Sequence, residues 1–143
     1  VQAYDSDKQL AGWTTVSPDD EAATIELNEA AIVRGRVLKA DGTPLAAAAL
    51  RTPYPHDPTQ QQALLPSQPD GAGYYPSTDQ DGRFQLVGQA PDLPLTVELK
   101  IYNAAGNTVL DHRYLFEILQ LKPGETRDLG DLRLDTLRKR KPE

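Results

Sequence analysis

Apolar and polar residues alternate with a period of two along most of this chain, the repeat of a strand that turns one face to a core. The clearest stretch runs from Leu95 to Tyr102. Leu95, Val97, Leu99 and Ile101 make its apolar face, and Thr96, Glu98, Lys100 and Tyr102 its solvent face. Thr24-Ile25-Glu26-Leu27 repeats the pattern in brief. From Ile32 to Leu38, Val33 and Val37 point inward while Arg34 and Arg36 point to water. Phe84 and Leu86 alternate around Gln85, and Leu132 and Leu134 around Arg133. Leu115 to Leu121 is apolar at both parities, which reads as a strand buried on both faces or as a short helix. Between these runs lie Asp41-Gly42, Asp81-Gly82, Ala105-Gly106-Asn107 and Pro123-Gly124, all turn-forming because glycine accepts a positive φ. Short strands separated by so many turns predict an all-β sandwich.

One segment breaks the rhythm. Pro53 to Pro76 holds six of the twelve prolines, together with the run Gln60-Gln61-Gln62 and three of the six tyrosines, Tyr54, Tyr74 and Tyr75. Proline withdraws ladder donors, so the segment is a long loop and not a central strand. Long loops on a rigid sandwich are where binding usually resides, and a packed or flexible insertion is the plainer alternative.

Composition removes several chemistries. The chain has 143 residues, room for one domain or one domain and part of another. It has no cysteine, hence no disulfide framework, thiolate metal site or thiol nucleophile. It also has no methionine, so an upstream segment is expected to have been removed. No apolar run approaches the roughly 20 residues of a membrane-spanning helix. The net charge of -6 disfavours nucleic acid and anionic membranes as partners. Arg138-Lys139-Arg140-Lys141 runs against that balance and reads as a solvated basic tail over 136–143, or as a contact for an anionic partner.

A loose internal repeat is visible. Val1 to Leu10 resembles Leu99 to Leu110, each a short strand ending near a tyrosine followed by a polar turn and a return strand. Pro18 to Leu27 resembles Pro123 to Leu134, each a proline-led acidic turn before an alternating strand. On this reading residues 1–29 are the closing hairpin of an upstream repeat, or accessory strands, and 30–135 are one whole unit. A lone hairpin is only marginally stable, so 1–29 must pack on the main domain, pair with another molecule or be disordered. A protein partner or self-association through 1–29 is therefore expected.

The unit carries Val33-Arg-Gly35-Arg-Val37, then Asp41-Gly42-Thr-Pro44-Leu45, then Thr78-Asp79-Gln-Asp81-Gly82-Arg83-Phe84. This resembles the carboxypeptidase regulatory-like domain. The resemblance implies a transthyretin-like (Ig-like) Greek-key β-sandwich without catalytic function, in a bacterial secreted, periplasmic or cell-surface protein. It makes Asp41, Gly42, Asp79, Asp81 and Gly82 structural turn residues, Gly35 a point of close approach and Phe84 a core anchor. Ala47 stands where that family often has glycine, which leaves a tight bend there in doubt.

Candidate sites remain thin. Asp79-Gln-Asp81-Gly82 opens like a calcium loop, but Val87 to Ala90 offers no late ligands, and Asp5-Ser-Asp7 is equally incomplete. Intradiol dioxygenases also resemble the chain around the T-D-x-D-G-x-F turn, and they bind ferric iron through two tyrosines and two histidines. The two histidines here, His56 and His112, lack that family's H-x-H spacing. His112, beside Asp111 and Arg113, reads as a solvated strand end. No nucleophile, phosphate-loop or zinc-protease signature is present. The expectation is a non-enzyme with no metal and no cofactor. A carbohydrate- or surface-binding module is the runner-up, with Trp13, Tyr54, Tyr74 and Tyr75 as the candidate ligand-binding set, and Tyr102 a further aromatic. A degenerate dioxygenase-like metalloprotein is the remote third.

Overall fold

The computed structural model describes residues 1–51 and 76–141. The Pro53–Pro76 segment, including Tyr54, His56, Tyr74 and Tyr75, thus lies outside the described residues except for Pro76.

The period-two runs become strands. These are β1 (Gln2–Asp5), β2 (Leu10–Trp13), β3 (Asn28–Glu29), β4 (Ala31–Leu38), β5 (Ala49–Arg51), β6 (Arg83–Gln89), β7 (Leu95–Tyr102), β8 (Val109–Leu119) and β9 (Thr126–Arg133), followed by a short 3-10 turn, Leu134–Thr136. They pair into three sheets of three strands: β1-β2-β3, β6-β4-β9 and β5-β7-β8. All pairs are antiparallel except β4 with β9.

The two larger sheets share one core, so the fold is an all-β sandwich. Val33 and Val37 of β4 and Phe84 and Leu86 of β6 meet Leu50, Val97, Leu99 and Leu115 from the other sheet. Leu50, Leu99 and Leu121 are among the largest fully buried side chains. Each such leucine contributes roughly 1.5–3 kcal/mol through burial. The ambiguous Leu115–Leu121 stretch is strand up to Leu119. Leu115 is buried, Phe116 and Leu119 are partly so, and the helical alternative is not realised.

The T-D-x-D-G motif is a splint at one end of the sandwich. The Asp79 carboxylate accepts the backbone N–H groups of Asp81 (2.9 Å) and Arg83 (2.8 Å). Gly82 lies at φ +73, and a Cβ there would run into the Val37 carbonyl. The buried Thr78 hydroxyl accepts the Ala48 N–H at 3.0 Å. In the other turn the Asp41 carboxylate accepts both the N–H and the hydroxyl of Thr43. Phe84 lies against Gly35, where an added Cβ would come within 2.9 Å of its ring. The tight bend in doubt at Ala47 does form: Ala47 takes φ 57, an unfavoured region for a residue with a Cβ.

Residues 1–29 dock at the opposite end. The Tyr4 ring lies against Gly88 of β6, Gln9 accepts the Ala30 N–H at 2.8 Å, and Glu29 accepts the Gly124 N–H at 3.0 Å. The expected strand at Thr24–Leu27 is absent. Those residues carry no ladder and cross over Gly12, whose missing side chain makes room for Ile25 and the Glu26 carbonyl.

The basic tail is a second correction. It is paired along the outer edge of β8 and is not a frayed end. Tyr114 N–H donates to the Arg138 carbonyl and Arg140 N–H to the His112 carbonyl, both at 2.9 Å. This covers part of an edge that would otherwise present open backbone groups.

Candidate functional site

The antiparallel register of β5, β7 and β8 sets the polar residues of one sheet face side by side. Glu98 lies between Arg51 and Tyr114, and Lys100 between Ala49 and His112. The closing segment 138–141 extends this face at the β8 edge.

Alternation alone places Glu98 in water, yet it is only 3% exposed. Its Oε2 is 2.8 Å from His112 Nε2 and accepts a hydrogen bond from Arg140 NH1 at 2.9 Å. A carboxylate only accepts, so His112 presents Nε2–H to it. His112 is therefore a partly buried member of a charge cluster and not a solvated strand end. A carboxylate with so little water costs several kcal/mol to bury unless it is paired, and the two cationic or donor partners offset that cost. The cluster thereby pins the closing segment to the sheet.

Neighbouring pairs reinforce the strap. Arg138 grips Glu117 and lies 4.3 Å over the Tyr114 ring. Arg113 donates from NH1 to the Leu137 carbonyl at 2.9 Å and forms an ion pair with Asp111 at 2.9 Å. The Arg113 guanidinium holds the Asp111 carboxyl below the usual carboxylate range, and Arg138 does the same for Glu117. Beside the strap runs an open groove in which Lys100, His112, Lys139, Arg140 and Lys141 outnumber the one acid, Asp111.

The outer face of the other sheet bears a ladder of exposed ion pairs. Arg34 Nε meets Asp128 at 3.0 Å, and Arg36 meets Asp131 through two hydrogen bonds of 2.9 and 2.6 Å. Asp128 and Asp131 are three residues apart and would face opposite sides of a regular strand. A bulge at Gly130, φ +68, resets the register so that both point outward. The Asp128 carboxyl is lowered by the Gly130 N–H and then by Arg34, and the Asp131 carboxyl by Arg36.

Comparison with known proteins adds little. No protein-family model and no curated protein matches the chain. Solved structures similar to it include two dioxygenases. One is the dioxygenase domain of a dioxygenase carbohydrate-binding protein fusion from the cellulolytic bacterium Streptomyces sp. SirexAA-E. The likeness has 21% identity and a TM-score of 0.36, and it covers 73% of this chain and 79% of that one. The other is 3-chlorocatechol 1,2-dioxygenase from Rhodococcus opacus 1CP, at 17% identity and a TM-score of 0.31, covering 80% of this chain and 62% of that one. Neither likeness extends to an activity.

The candidate ligand set is divided. Trp13 is partly exposed on the N-terminal sheet, while Tyr102 sits at the far end of β7 and accepts a hydrogen bond from Arg51 at 3.1 Å. Tyr54, Tyr74 and Tyr75 lie outside the described residues. Among the described residues no group of three His, Asp or Glu side chains gathers where one metal ion could be held. Sequence reasoning missed Glu98, His112 and Arg140 as a unit. Glu98 and Lys100 on the polar face of Leu95–Tyr102 were visible, but the segment that covers Glu98 was not.

Proposed function

We propose that the protein is a non-catalytic interaction or structural module of a bacterial secreted or cell-envelope protein. Its resemblance to the carboxypeptidase regulatory-like domain, with a transthyretin-like Greek-key sandwich, supports this reading. The observation that carries it is the commitment of His112. Its imidazole is engaged by buried Glu98, which Arg140 also binds, and the trio fastens the closing segment to the sheet. With Nε2 spent on Glu98, this histidine–carboxylate pair serves to hold the closing segment against the sheet. Asp41 and Asp79 are likewise spent on turn N–H groups.

Ferric ion titration tests the reading. The expected result is no stoichiometric uptake, no visible tyrosinate charge-transfer band and no cleavage of catechol. Tight ferric binding with catechol turnover would replace the module with an enzyme.

A further inference from the structure

The net charge is distributed with a strong polarity along the molecule. Residues 1–29 contain seven carboxylates and one lysine, whereas residues 30–143 contain fourteen acidic and fourteen basic side chains. The whole negative excess therefore belongs to the N-terminal sheet and the segment that crosses it. The basic groove beside Lys139 and Lys141 is at the other end of the sandwich, where β7 ends and β8 begins. Strands of eight residues put about 26 Å between these ends, well beyond a Debye length of about 8–10 Å. The two ends of one molecule do not neutralise each other.

Exposed hydrophobic residues follow the same division. Among the described residues the large exposed apolar side chains are Val1, Trp13, Val16 and Leu27 at the acidic end and Val109 and Leu110 at the basic end. Leu110, at 66% exposure, is the most open of them. Among the described residues the long faces of the sandwich between the ends carry none. The acidic end thus combines apolar contact area with an excess of carboxylates, and the groove at the other end, on the same end as the turn aspartates Asp41, Asp79 and Asp81, combines Val109 and Leu110 with an excess of basic side chains.

We propose that the protein associates head to tail with a second copy of itself. The acidic end, through Asp19 and Glu21 with Val16 and Leu27, seats on the basic groove of the next copy, through Lys139 and Lys141 with Val109 and Leu110. Two different surfaces meet, so the contact is heterologous and leaves a free acidic end and a free basic end on every dimer. Growth is open-ended. Opposite charge steers the encounter and excludes head-to-head and tail-to-tail arrangements, and the apolar residues supply the short-range contact. The proposal rests on the reading of this chain as an interaction module and names its partner.

Sedimentation of the full chain at rising concentration and low ionic strength tests it. Wild type should form a growing series of species, with the apparent dissociation constant rising about tenfold or more in high salt. Asp19→Asn with Glu21→Gln disables the acidic end, and Lys139→Gln with Lys141→Gln disables the basic one. All four side chains are exposed, and none belongs to the Glu98 cluster. Unchanged thermal melting of both variants confirms that the fold is intact. Each variant alone should be monomeric, while an equimolar mixture should stop at the heterodimer, because only one complementary pair of ends survives. Wild type that stays monomeric, a mixture that stays monomeric, or variants that assemble like wild type would each overturn the proposal. So would a wild-type monomer that instead binds an unrelated polyanion through the same groove. A monomer without a ferric band defeats the head-to-tail contact alone, whereas catechol turnover defeats the module reading whatever the association state.

Discussion

Arginine–carboxylate pairing occurs on both sheets of the sandwich, and the two instances differ in the water around them. On the β4–β9 face, Arg34 and Asp128 keep more than half of their side-chain surface exposed, at 56% and 54%. On the β7–β8 face, the Glu98 side chain keeps 4%. The distances are alike, 3.0 Å for Arg34 and 2.9 Å for Arg140. Geometry therefore does not separate them; solvation does. A broken exposed pair is rehydrated at once, and such pairs contribute about 0–1 kcal/mol. A buried carboxylate stripped of its partners has no such recourse. The ladder decorates a finished sheet, while the cluster is a condition for closing the molecule at the β8 edge.

The sharpest way to break this contrast is Glu98→Ala. It removes the acceptor that His112 and Arg140 share, but both are partly exposed and regain some water. The expected loss is about 2–3 kcal/mol, read as a lower urea midpoint. Faster hydrogen exchange at the Arg140 amide should accompany it as the strap loosens. A Glu98→Ala protein as stable as wild type would place the two regions in one class.

Gly130→Ala attacks the ladder through its backbone. A side chain at φ +68 costs about 1–2 kcal/mol, and relief of that strain by removing the bulge would turn one of the two aspartates inward. Asp131→Ala removes one rung alone and should cost less than about 1 kcal/mol. High salt should shrink even that difference, because it shortens the Debye length to about 3 Å, while leaving the Glu98→Ala loss largely intact. A double-mutant cycle of Arg36 with Asp131 measures the rung directly.

Acid reveals the smallest expected effect, that of the exposed ion pairs of the ladder and of Glu117 in the strap. The Asp128, Asp131 and Glu117 carboxyls all lie below their ordinary values in the folded protein. The unfolded chain therefore takes up protons first as the pH falls. The stability from these groups is fully present above the usual carboxylate range and is lost as the pH drops through their depressed folded values. Thermal melting across that window should show a shallow loss in wild type, shallower still in Asp131→Ala.

Which parts of this were readable beforehand follows from how local each feature is. The bounds of the Leu95–Tyr102 run are those of β7, and Ile32–Leu38 lies within β4. The turn at Asp79 to Gly82 forms as its residues dictate, since its donors and acceptors are all within four positions. β9 is only partly legible. Leu132 and Leu134 suggest a strand around Arg133, and the strand spans Thr126–Arg133, ends before Leu134 and sets Leu129 and Leu132 against the core. Its bulge breaks the period that the eye follows. The Thr24–Leu27 alternation was local pattern without a partner strand, and a ladder needs one.

The sequence by itself determined the all-β class, most strands and the chemistry of the turns, because alternation, glycine at positive φ and Asx hydrogen bonds are properties of neighbouring residues. Only the tertiary structure decided that Glu98 is buried, that the basic run is a strap and that acidic and basic surfaces occupy opposite ends. Each of these depends on which distant segment covers a given face. Burial then sets the energy of a charge more strongly than its identity does.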